Sequence, residues 1–154
     1  KIGNFDVSLL TTFSQGNKLA AEWRMGLDHM GAYDYNAIKD SYDKRWTAPG
    51  TSNTTPRAVK SAFNNKRSSY YVEDASFFRI RNLTVGYQLP AALLNRFSVQ
   101  QLRLFVSCSN LYTFTKYSGY DPEAASSLDA RSFGIDNLVT PQPRSFMAGI
   151  NMNF

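Results

Sequence analysis

The stretch SFMAGINMNF sets Phe146, Ala148, Ile150, Met152 and Phe154 on one side and Ser145, Gly149, Asn151 and Asn153 on the other, with Met147 as the exception. A period of two means a β-strand with one apolar and one polar face, because successive side chains leave the pleat in opposite directions. Such a strand is stable only in a sheet that has something apolar to face. The same alternation recurs upstream. Phe5, Val7, Leu9 and Phe13 oppose Asp6, Ser8 and Thr12, and Leu19, Ala21, Trp23, Met25 and Leu27 oppose Lys18, Glu22, Arg24 and Gly26. Leu83, Val85 and Tyr87 oppose Thr84, Gly86 and Gln88, while Leu102, Leu104, Val106, Cys108, Tyr112 and Phe114 oppose Gln101, Arg103, Ser107, Ser109 and Thr113. The pattern predicts an all-β fold with strands near residues 3–13, 18–27, 71–88, 99–115 and 144–154, the first two joined as a hairpin by the turn SQGN.

Alternation lapses over 28–70 and 116–143, which are rich in Tyr, Asn, Ser, Thr, Pro and charge. These read as long loops, the first with one helical segment in YNAIKDSYDKRW. Connections therefore run short, long, short, long. Outer-membrane barrels have that rhythm, with short periplasmic turns and long extracellular loops, which puts both loops outside and the C-terminus in the periplasm. No run approaches the roughly 18 apolar residues of a transmembrane helix. The mean hydropathy of -0.36 leaves a barrel open, since lumen-facing residues dilute every window. Phe146 to Phe154 covers about 26 Å at roughly 3.3 Å per residue, or near 20 Å along the normal at about 40° of tilt, which just crosses an apolar band of about 25 Å. Aromatics, 14% of residues, supply the girdles at its edges. Five strands do not close a barrel, which needs about eight. An open sheet in lipid leaves edge groups unpaired at several kcal/mol each. KIGNFDVSLL carries neither an initiator Met nor a signal-peptide pattern and reads as a strand already under way, so a C-terminal piece of a longer chain is expected.

Most other chemistry is excluded by spacing. The net charge of +5 permits an acidic partner, and Arg57, Lys60, Lys66 and Arg67 cluster. No ribonucleoprotein motif, zinc spacing or recognition helix accompanies them, so no nucleic-acid partner is expected. His29 is the only histidine, and no Gly-x-Ser-x-Gly elbow is present, so the chain is not expected to be an enzyme. No cofactor is expected either; Asp121, Glu123, Asp129 and Asp136 offer carboxylates for calcium, but without EF-hand spacing. Cys108 reads as a small hydrophobe on its apolar face, and Asn110 interrupts that face, its side chain folding back onto backbone. Tyr33, Tyr35, Tyr42, Trp46, Tyr70 and Tyr71 offer flat rings that stack on sugars, anchor a protein partner, or pack within the loop.

Three blocks, YYVEDASFFRIRNLTVGYQLP, LRLFVSCSNLYTFTKYSGYDPE and PQPRSFMAGINMNF, resemble the C-terminal part of SusC/RagA-type TonB-dependent transporters. The matching residues are Glu73, Asp74, Ser76, Phe77, Arg79, Gly86, Tyr87, Asn110 and Leu111, then Thr115, Lys116, Tyr117, Ser118, Gly119, Tyr120, Asp121, Pro122 and Glu123, then Pro143, Arg144 and Phe154. The match is dense over 70–154 and looser over 1–69, where Arg45, Trp46, Pro56 and Arg57 carry it. The resemblance implies the last strands of a transmembrane antiparallel barrel of about 22 strands, with the plug domain and TonB box upstream. It further implies import of a large nutrient, most often an oligosaccharide and sometimes a peptide, with a SusD-like surface lipoprotein and the TonB complex as partners. Phe154, with Met152 and Ile150 on its side, would be the signal read by the barrel-assembly machinery. The alternative is a soluble β-sandwich or small-barrel carbohydrate-binding module.

Overall fold

The computed structural model describes residues 1–61, 64–94, 99–124 and 133–154. Its elements are β1 (Phe5–Ser14), β2 (Lys18–Ala21), α1 (Glu22–Leu27), α2 (Lys39–Lys44), a 3-10 turn (Ser69–Tyr71), β3 (Val72–Asp74), β4 (Phe77–Gln88), α3 (Ala91–Leu94), β5 (Gln101–Thr115), β6 (Ile135–Asp136) and β7 (Ser145–Asn153). They form two sheets, a four-stranded one in the order β1-β4-β5-β7 and a three-stranded one in the order β3-β2-β6. The chain divides into two units, Lys1–Gln15 with Ser76–Lys116 and Pro141–Phe154, and Gly16–Ala75 with Tyr117–Thr140.

In the first unit every strand pairing is antiparallel, and the register stacks like residues across the sheet. Val7, Val85, Val106 and Ala148 form one row, Leu9, Leu83, Cys108 and Phe146 another, and Phe5, Tyr87, Leu104 and Ile150 a third. The opposite face carries Asp6, Ser8, Thr84, Ser107 and Asn151. There Thr84 Oγ1 and Ser107 Oγ share a hydrogen bond of 2.8 Å. Arg103 donates to Asp6 through Nε at 2.9 Å and Nη2 at 2.5 Å, reaching across the intervening β4. Gly86 makes that reach possible, since a Cβ there would lie 2.6 Å from both Arg103 Nε and Asp6 Oδ1. Phe105, an apolar residue on the polar face, lies over Gly149, where a Cβ would meet its ring at 2.6 Å.

Midway the ladder shifts, between Leu10 and Thr11 on β1 and between Ile80 and Asn82 on β4. Asn110, opposite this bulge, takes φ +51, a left-handed conformation that asparagine tolerates. Its Nδ2 donates to the Pro143 carbonyl at 3.1 Å, the expected fold-back onto backbone. The bulge preserves the face, because beyond it Phe13, Phe78 and Phe114 align as one further row.

Three expectations need correction. Residues 18–27 are strand only to Ala21 and helical from Glu22. Trp23 and Leu27 lie four apart, and Arg24 bridges to Asp28 at 2.9 Å, so an i,i+4 ion pair and one apolar stripe outweigh the alternation. The hairpin of the first two strands does not form: β1 pairs with β4, and β2 pairs with β3 and, in parallel, with β6. The segment 71–88 is two strands in different sheets, broken at Ala75, which is fully buried and donates its N–H to the Asn17 carbonyl at 3.0 Å. Connections within the four-stranded sheet accordingly run long, short, long. Both long ones leave from the Ser14, Phe77 and Thr115 end of the sheet. The helical segment expected in the first long loop is α2.

Candidate functional site

The four-stranded sheet presents its apolar face outward. Val7, Leu9, Val106, Phe146 and Ile150 are each more than half exposed. Aromatic rows bound this face. At one end stand Phe13, Phe78 and Phe114, with Phe78 and Phe114 centroids 6.1 Å apart and Tyr112 edge-on to Phe114 at 4.6 Å. At the other, Phe5 and Tyr87 lie 4.7 Å apart. From Phe5 to Phe13 the strand covers about 26 Å, or roughly 20 Å along the normal of a barrel wall tilted by about 40°. Exposed apolar surface on this scale is costly in water, at about 25 cal/mol per Å²; its fit is to hydrocarbon between two headgroup layers. Ile150, Met152 and Phe154 lie exposed in the last strand and just past it, Phe154 at 76%.

In the second unit the motif residues bind one another. Glu73 accepts from Arg24 Nη1 at 2.8 Å, from the Ser118 N–H at 3.0 Å and from Ser118 Oγ at 2.8 Å. Burial pushes its carboxyl up, but the Ser118 and Arg24 hydrogen bonds outweigh burial and hold it below the ordinary carboxylate value. Tyr117 donates to Asp136 Oδ2 at 2.7 Å and accepts from Trp23 Nε1 at 3.3 Å; burial first, then Asp136, pushes its phenol well above the usual range. Leu19, Ala21, Ala75, Tyr117 and Ala124 form the core of this unit, with Trp23 and Val139 against it. Gly119 is required because a Cβ there would sit 2.5 Å from the Tyr117 ring. Asp121 and Pro122 are buried, and Tyr120 is exposed. In the first unit, Thr115 Oγ1 donates to the Ser76 carbonyl at 2.9 Å. Most of the run from Tyr117 to Glu123 thus folds the two long connections into one body.

Two of the six aromatic candidates form a presented pair. Tyr33 and Tyr35 stack at 5.2 Å and 8° and are about half exposed. His29, buried beneath them, fixes the loop: its Nδ1 accepts from the Tyr33 N–H at 3.4 Å, and its Nε2–H donates to the Tyr35 carbonyl at 2.8 Å. Tyr42 is exposed under the Arg45 guanidinium, 3.6 Å from its ring centroid. Trp46 is half-buried near Arg57 at 6.0 Å, and half-buried Tyr70 lies under Arg24 at 5.4 Å. Tyr71, expected among the contact residues, is 3% exposed and belongs to the interior, where burial pushes its phenol up to about 12. Sequence reasoning missed Asp28, which is 1% exposed and bound by Arg24 and by the Ser41 hydroxyl. Among the described residues no three carboxylate, His or Cys side chains gather as a metal site. Asp136 is engaged by Tyr117 and the Val139 N–H, and Asp129 lies outside the described residues.

No family model matches the chain. TonB-dependent receptor P3 of Formosa agariphila is 36% identical over 157 residues, covering 98% of this chain and 15% of that protein. TonB-dependent receptor P39 of the same organism is 31% identical over 154 residues, and TonB-dependent receptor SusC of Bacteroides thetaiotaomicron is 27% identical over 141. The chain thus spans about 15% of the length of the curated relatives it matches. Among solved structures, the RagAB peptide importer in its closed-closed state superposes with a TM-score of 0.80 at 24% identity, over 98% of this chain and 16% of that one.

Proposed function

The chain belongs to the SusC/RagA-type TonB-dependent receptors, and we propose that it forms part of the wall of an outer-membrane importer of a large nutrient. One observation carries this reading: an exposed apolar face bounded by aromatic rows on a sheet whose edges, β1 and β7, have no further strand among the described residues. In lipid each unpaired edge group costs several kcal/mol, so the remaining strands of a barrel of about 22 pair there. The short connection and the end of β7 share one end of the sheet, which is the periplasmic end if short turns face the periplasm. On this reading the partners are the rest of the barrel and plug, outer-membrane lipid, the barrel-assembly machinery, the TonB complex and a SusD-like surface lipoprotein.

The cargo we propose is an oligosaccharide, supported by the exposed rings of Tyr33, Tyr35 and Tyr42, whose flat faces suit sugar rings. A peptide is the second reading, favoured by the likeness to RagAB. Against a soluble carbohydrate-binding module stands the extent of the exposed apolar face. The test is growth and labelled-cargo uptake in a strain lacking the receptor, beside one carrying Tyr35→Ala and Trp46→Ala. Loss of oligosaccharide uptake in the first, weakened uptake or lost co-purification of the lipoprotein in the second, supports the proposal. Loss of peptide uptake alone selects the second reading, and unchanged uptake of both refutes import.

A further inference from the structure

Within the second unit, a cavity of about 210 Å³ opens beside α2. It is well below the roughly 300–1,000 Å³ of sites that take drug-sized ligands, and suits one large apolar side chain. Buried Met30 and half-buried Gly31 line it, and exposed Ala37, Tyr42 and Ala58 stand around it with the half-buried Arg45. Its wall is preformed: the Val59 N–H donates to the Met30 carbonyl at 2.8 Å, and Gly31, at φ +84, lets the Val59 backbone come so close that a Cβ would fall 2.8 Å from its carbonyl oxygen.

Most polar groups along this cavity are already engaged, the exposed Tyr42 hydroxyl and the Arg45 guanidinium apart. Asp28 is held by Arg24 and Ser41, and both His29 nitrogens are bound to the Tyr33 and Tyr35 backbone. A sugar placed there would have the Tyr42 hydroxyl and Arg45 alone to meet its several hydroxyls, and each one buried without a partner costs about 1–3 kcal/mol. Arg45 carries the charge among these open groups. Its guanidinium stacks on Tyr42 and donates to the Tyr42 carbonyl, yet it makes no ion pair among the described residues, so donors remain for an anion. Apolar walls with one guanidinium beside them match a molecule whose apolar side chain adjoins a carboxylate.

We propose that this cavity binds the apolar C-terminal residue of a peptide, the side chain inside and the α-carboxylate on Arg45. The proposal goes beyond the import reading and does not depend on it. The test uses the full-length receptor purified in detergent, titrated by calorimetry and ligand-observed NMR with N-acetyl-L-phenylalanine and, separately, its uncharged amide. The acid should bind about tenfold more tightly than the amide, as a charge-assisted hydrogen bond supplies. Ala37→Phe and Ala58→Phe, both at exposed positions, should each abolish binding, and Arg45→Gln should bring acid and amide to equal affinity. No binding at millimolar acid, equal affinities in the unsubstituted receptor, or binding indifferent to both alanine replacements overturns the proposal. Uptake assays on the same variants report on import separately, so failure of one is distinguishable from failure of the other.

Discussion

Placing an arginine on either side of β1 separates lipid from lumen. Leu9 lies on the apolar face, 59% exposed, four residues from Phe5 and four from Phe13. At roughly 3.3 Å per residue and about 40° of tilt, that puts it about 10 Å along the normal from each aromatic row, near the bilayer midplane. Leu10, equally exposed, faces the side that carries Asp6 and Ser8. An arginine at the midplane on the lipid face of a barrel costs about 2–4 kcal/mol, falling to about 0–1 near the interfaces. Leu9→Arg should therefore destabilise by about 3 kcal/mol, Val7→Arg by less, and Leu10→Arg by under about 1 kcal/mol. The assay is equilibrium denaturant unfolding of the full-length receptor in lipid vesicles, with heat-modifiable gel mobility as a second readout. Equal penalties at Leu9 and Leu10, or a larger one at Leu10, would refute the assignment of faces.

Glu73→Ala removes the acceptor of three hydrogen bonds and leaves the Ser118 N–H unpaired, so the unit built on the two long connections should lose about 2–3 kcal/mol, seen as faster hydrogen exchange around Val72–Asp74 and Ser118. Because the folded carboxyl lies below its ordinary value of 4.5, its contribution is complete above that value and disappears as pH falls through the folded one; Glu73→Gln should flatten this acid dependence. Deleting Phe154 should lower the amount of assembled barrel in the outer membrane, and unchanged levels would remove its role as an assembly signal. Gly149→Val should displace the Phe105 ring and destabilise by about 1–3 kcal/mol, whereas Gly149→Val with Phe105→Ala should recover part of that loss.

The strands of the four-stranded sheet were legible because a face of Val, Leu and Phe repeating every second residue has one structural meaning. The pattern misled at Lys18–Leu27, where the same residues also lie on a helical stripe and a local ion pair, Arg24 with Asp28, decides the outcome. It could not show that β2 belongs to another sheet, because its partners Glu73 and Ile135 are remote in sequence. Asn110 was visible as a break in its face, and its left-handed backbone supplies the cause. The run from Tyr117 to Glu123 was conspicuous as a motif, but its clamp on Glu73 and Asp136 depends on long-range contacts that no local spacing encodes. Tyr71 was indistinguishable from Tyr70 by type, and only packing separates the buried ring from the half-buried one.

The most direct test of the central claim is the intact mass of the species carrying this sequence, extracted from cell envelopes in mild detergent. As the chain matches 15% of the length of such a receptor, the account predicts a membrane-fraction species more than six times the chain's 17.4 kDa, or that chain held in a complex with the remaining fragment. A folded, monomeric 17.4 kDa protein recovered without detergent would contradict it.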